Sequence, residues 1–161
     1  MLLSASFVVM SSTVTFAEQN LKLHHNDAQT ITVVAPALYP EGIETHPKTG
    51  EFLLGSIRKG KIIAVSPDGT IRTLVDDDRL HSVIGIRVDV ERGRLLVNNS
   101  DYGGSEKSQP QFKFAKVALG IYDLETGAPL QYVDMSGLRS GEAKFANDLT
   151  IDSDGNAYVT D

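Results

Sequence analysis

The sequence predicts an all-β protein assembled from a repeated four-stranded unit, and three observations carry that prediction. Residues 41–54 lie over residues 84–97 without a gap, an offset of 43 residues. In each copy a Gly precedes a short alternating strand, then a polar turn closed by Gly, then an apolar strand. No long segment shows apolar residues at helical spacing, whereas short β-branched runs alternate with turns throughout.

The elements follow in order. Residues 31–34 (ITVV) read as a strand ahead of the first unit, placed to close a ring of sheets. The first unit continues through 61–65 and 71–75, joined by Pro67-Asp68-Gly69, whose Gly supplies the positive φ of a hairpin turn. The second unit continues through 118–123 and 130–133, joined by Glu125-Thr126-Gly127. A third copy opens at Asn147, one residue shorter in its turn. Strand-built periods in the forties are the signature of β-propeller blades. Short strands with regular turns also fit a β-sandwich, but the repeated offset favours the propeller.

Composition narrows the function. The 161 residues hold 15 Lys+Arg against 21 Asp+Glu, a net charge of −6, with no cysteine. A basic stripe to neutralise phosphates is missing, so no nucleic-acid partner is expected. Disulfides, thiolate metal sites and cysteine nucleophiles are excluded. Residues 1–17 carry no charged side chain, and Thr15 and Ala17 stand at the −3 and −1 positions of a cleavage site. They read as a signal peptide, which implies a secreted or periplasmic protein with no membrane segment in its mature form. Because no Lys or Arg precedes Leu2, a start upstream of Met1 and an apolar N-terminal strand remain open. Residues 18–30 form a polar leader, and 31–161 the repeat region.

The residues of the repeat resemble a known family. Tyr39-Pro40-Glu41-Gly42, Gly85-Ile86-Arg87-Val88-Asp89 and residues 147–161 (NDLTIDSDGNAYVTD) are similar to the senescence-marker-protein-30/gluconolactonase/luciferin-regenerating-enzyme-like family. The last stretch is the most specific, and shorter versions occur in NHL-type and strictosidine-synthase-like propellers. The resemblance covers about residues 31–161. It implies a six-bladed β-propeller, present here as two blades and the first hairpin of a third. It also implies a divalent cation, calcium above all, in a central tunnel. Glu41 and Asn147 would be two of its ligands, while a later Asn and the Asp that serves as general base have no match before Asp161. The implied activity is hydrolysis of lactones or related esters, with a lactone, ester or sugar-acid derivative as the small-molecule substrate. At about 43 residues per blade a six-bladed ring needs roughly 250 residues, within the range of large single-domain β folds. The chain is therefore expected to be the N-terminal portion of such a domain, with an incomplete catalytic site. The alternative is a non-catalytic propeller that serves as a binding or interaction module.

Those positions make chemical sense. Glu41, Ile84 and Asn147 are equivalent in the repeat. First strands of successive blades line the axis, so side chains at equivalent places converge, and converging oxygens suit a hard cation. A Glu-Gly pair or an Asn-Asp pair equally reads as a turn or a cap. Asp148 is expected to orient Asn147 or contact substrate. Asn98, Asn99 and Tyr102 are candidate substrate contacts, although the two Asn residues also read as the start of a loop. The loop 100–114, longer than its counterpart 57–60, is a candidate lid. His46 and His81 read as isolated surface histidines, Asp76-Asp77-Asp78 as a solvated turn, and His24-His25 as part of the leader. Residues 152–156 lack the spacing of an EF-hand loop.

Overall fold

The computed structural model describes residues 5–9, 29–114, 116–138 and 143–161. They fall into two compact units that divide after Pro36. In the first, β1 (Ala5–Val9) pairs antiparallel with β2 (Gln29–Val33), Phe7 opposite Ile31. The strand expected over 31–34 therefore takes β1 as its partner. The cleavage positions Thr15 and Ala17, and leader residues 18–28 with His24 and His25, lie outside the described residues.

The second unit is all-β and antiparallel, with a single 3₁₀ turn at Pro110–Phe112 among its described residues. Its first sheet is a meander of β3 (Pro40–Thr45), β4 (Phe52–Ser56), β5 (Ile62–Val65) and β6 (Ile71–Val75). The second repeats it with β7 (Val83–Asp89), β8 (Arg94–Ser100), β9 (Val117–Asp123) and β10 (Pro129–Asp134). A hairpin of β11 (Leu149–Ile151) and β12 (Ala157–Val159) follows. The first strands of the three sheets are neighbours, β3 beside β7 and β7 beside β11.

Strand alternation explains the packing. Successive side chains of a strand point to opposite faces, and β8 is apolar on both. Leu95 and Val97 join Leu53, Ile62, Ala64, Leu74 and Val83 in a core between the two meanders. Leu96 points the other way, to Leu119, Ile121 and Leu149 in a core against the hairpin. A strand covered on both faces reads as a continuous apolar run, which is what residues 95–97 show.

Polar ties fix the same junctions. Arg87 of β7 reaches Glu44 of β3 at 2.7 Å and the carbonyl of Leu149 in β11 at 3.2 Å, joining all three first strands. Burial outweighs Arg87 at Glu44 and raises its pKa. Just past the C-terminal ends of β3 and β9, Lys48 Nζ meets Glu125 at 2.7 Å across the two sheets.

Two histidine readings are corrected here. His46 is 1% exposed, and its Nδ1 accepts hydrogen bonds from the amides of Lys48 and Thr49. His81 is 8% exposed, under the loop that begins at Asp101. Each lies in a connection, but the neighbouring sheet or loop closes over it. The acidic turn is likewise only partly solvated. Asp77 is half-buried, binds Arg79 at 2.6 Å and accepts the Tyr122 hydroxyl at 3.1 Å. The Arg79 guanidinium holds its carboxyl below the usual range.

Candidate functional site

The positions singled out by the repeat are β-bulges. In β3, Pro40 pairs with Ser56 and Ile43 with Leu54, so Glu41 and Gly42 together face Gly55. In β7, Val83 pairs with Asn99 and Ile86 with Val97, so Ile84 and Gly85 together face Asn98. Before β11, Asn147 N donates to Thr160 O while Thr160 N donates to Asp148 O, both 2.9 Å, so Asn147 and Asp148 share Thr160. A bulge bends its strand and re-aims a side chain, and bulges recur beside active sites.

The glycines of the bulges set how closely the first strands approach. A Cβ on Gly42 would stand 2.7 Å from the carbonyl oxygen of Ile84. One on Gly85 would stand 2.8 Å from the carbonyl oxygen of Asn147. Each glycine thus lets its strand press on the equivalent residue of the next sheet. Glu41, Ile84 and Asn147 follow one another along one rim, and two of the three carry oxygen donors. Glu41 and Asn147 are exposed there. Asp148 accepts the amide of Leu149 at 2.8 Å and packs over Gly85.

Tyr102 joins this rim from the 101–114 loop. Its ring meets Phe145 edge-on, with centroids 5.7 Å apart and planes at 75°. Burial raises its phenol pKa, and the charge of Glu41 raises it further. The hydroxyl is therefore kept protonated, a hydrogen-bond donor beside an exposed carboxylate.

Asn98 and Asn99 part company. Both belong to β8 rather than to a loop, and both have 0% exposure. Asn99 is fully engaged: Oδ1 accepts the amide of His81 at 2.6 Å, and Nδ2 donates to Arg79 O and the Tyr132 hydroxyl. It holds the inter-sheet connection in place. Asn98 faces the other way, and neither its Oδ1 nor its Nδ2 has a hydrogen-bond partner. Two residues on, on the same face, Ser100 Oγ donates to Ala146 O at 3.1 Å, next to Asn147. An unpartnered buried amide costs about 1–3 kcal/mol, so its retention beneath the Ile84–Asn147 rim points to a polar ligand or water there.

Among the described residues no three His, Cys, Asp or Glu side chains are grouped to hold a metal ion. Calcium takes 6–8 oxygen ligands. Glu41 and Asn147 alone therefore do not make a whole oxygen donor set. Phe145 and Ser100 were not singled out from the sequence. The uninterrupted polar run from Asn98 to Asp101 at the end of an apolar strand was the available signal.

A scan against protein-family models finds no match for the chain, and no curated protein matches it. The fold and site thus define an all-β repeat protein with an acidic, tyrosine-bearing rim.

Proposed function

We propose that residues 37–161 are blades of a β-propeller of the senescence-marker-protein-30/gluconolactonase type, two blades and the opening hairpin of a third. In this reading the protein is an exported, divalent-cation-dependent hydrolase of lactones or related esters. The observation that carries it is the bulge repeated at Glu41, Ile84 and Asn147, which supplies two oxygen donors along one rim. Glu41 and Asn147 would hold the cation, calcium first among candidates. When bound, such an ion polarises a carbonyl oxygen as a Lewis acid. The protonated Tyr102 hydroxyl is a donor for a substrate oxygen, and the Asn98 amide a polar floor beneath the rim. Asp148 orients the Asn147 strand through its bond to Leu149.

The intact protein tests this directly. Hydrolysis of an aldonolactone should vanish with chelator, return with added calcium, and fall about 100-fold or more in Glu41→Gln. That is the loss typical of one charge-stabilising group. Hydrolysis indifferent to chelation overturns the cation-dependent reading. The apolar Ile84 at the second equivalent position favours a rival, a propeller that binds small molecules without turning them over. Saturable lactone binding with no hydrolysis by the intact protein decides for that rival.

A further inference from the structure

The connection 76–82 and the loop 101–114 meet at a buried contact that the rim chemistry does not use. His81 Nε2 lies 3.9 Å from Asp101 Oδ2, and both side chains are buried. Asp101 Oδ1 is satisfied, accepting from Ser108 Oγ at 2.5 Å and from the amide of Gly103 at 3.1 Å. Oδ2 has no hydrogen-bond partner. On the other side of the ring, His81 Nδ1 is 3.2 Å from the carbonyl of Arg79. A carbonyl only accepts, so that contact is a hydrogen bond when Nδ1 carries the proton. The neutral ring then turns one acceptor, Nε2, toward another, Oδ2, with no proton between them.

Asp101 is also the backbone clasp of the loop. Its amide donates to Lys116 O at 2.9 Å, and its carbonyl accepts from the amide of Phe114 at 2.6 Å. The middle of the loop docks on the 57–60 turn, where the amide of Glu106 and the hydroxyl of Ser105 both donate to Arg58 O. Lys107 Nζ reaches the carbonyls of Gly60 and Asp77. The surrounding charged and titratable groups have their own contacts. Asp77 binds Arg79 and Tyr122, and Tyr132 accepts from Asn99. Glu106 binds Arg58 and Lys59, and Lys107 stands 3.8 Å from Asp76. Lys113 lies over the ring of Phe114.

We propose that His81 and Asp101 form a proton-operated clasp that fixes the 101–114 loop, and Tyr102 with it, against the rim. One proton on Nε2 turns two facing acceptors into a charge-assisted hydrogen bond. Protonation of the ring is what closes the clasp, so the loop tightens as pH falls. The clasp holds whether or not the rim binds a cation.

Hydrogen exchange of the loop amides in the full chain, corrected for the intrinsic pH dependence, tests the clasp. Protection of residues 101–114 should rise about tenfold from pH 7.5 to 5.5, the worth of one charge-assisted hydrogen bond. His81→Gln and Asp101→Asn should abolish the rise, and His46→Gln should keep it. A flat wild-type profile, or an undiminished rise in His81→Gln, overturns the proposal. If the His81 variant does not fold, imidazole ¹⁵N shifts of the wild-type chain decide. His81 should carry its proton on Nδ1 at high pH and gain the second in step with loop protection. A transition that does not coincide with the loop counts against the clasp.

Discussion

The two meanders follow the same plan and differ where chemistry would occur. Both place a bulge at the start of the first strand, with a glycine against the next sheet. At equivalent positions the first has Glu41, Gly55 and the short turn 57–60, whereas the second has Ile84, Asn98 and the loop beginning at Asp101. Gly55 leaves room for Val83 to pack close, while Asn98 fills that place with an unpartnered amide. The backbone that makes the repeat is kept, and the side chains above it vary. Such a scaffold presents different groups to one rim without changing its own packing.

Breaking the backbone part of this comparison should have the largest effect. Gly85→Val pushes side-chain atoms into the backbone of Asn147 and should cost about 3 kcal/mol, the upper range for overpacking. Gly50, with open space around it and a φ of 70°, is the control. Gly50→Ala should cost only about 1 kcal/mol, the penalty of the left-handed region. Chemical denaturation of both variants separates close approach from turn conformation.

Exchanging polar for apolar side chains in β8 sharpens the contrast between neighbours. Asn99→Leu leaves the buried amide of His81 without its acceptor and the Tyr132 hydroxyl without the Asn99 donor, and should cost about 2–3 kcal/mol. Asn98→Leu removes an amide that has no partner and should be neutral or stabilising by about 1 kcal/mol. Equal losses in the two denaturation curves would contradict the engagement described for Asn99.

The smallest effect is electrostatic and confined to the first sheet. Arg72 holds the Glu51 carboxyl at about 2, through contacts of 2.8 and 2.7 Å. An unfolded Glu titrates near about 4.3. The folded pKa is the lower one, so the pair's stabilisation is complete above about pH 5 and lost as pH falls toward 2. Melting temperature against pH should fall less steeply below about pH 4 in Arg72→Gln than in the wild type.

Strand positions were legible because alternation and turn glycines are local. Residues 61–65 and 71–75 became β5 and β6 within a residue of their expected bounds. The bulges were not legible, because register belongs to a pair of strands and Glu41-Gly42 alone reads as a turn. Burial of His46 and His81 depends on a sheet or loop far along the chain folding over them, and a lone histidine in a connecting segment gives no sign of that. Asn98 was misread as a loop start because two asparagines interrupt the apolar run, although β8 continues to Ser100. What sequence did reveal of the site was the equivalence of Glu41, Ile84 and Asn147, a property of the repeat itself.

The central claim is that Glu41 and Asn147 are donors to one cation, and calcium titration calorimetry of the intact protein tests it most directly. A single calcium site should weaken at least about tenfold in Glu41→Gln and in Asn147→Ala, as expected when a ligand is removed. The double variant should lose little more than either alone, because both act at one site. Calcium affinity unchanged in both single variants would contradict the account.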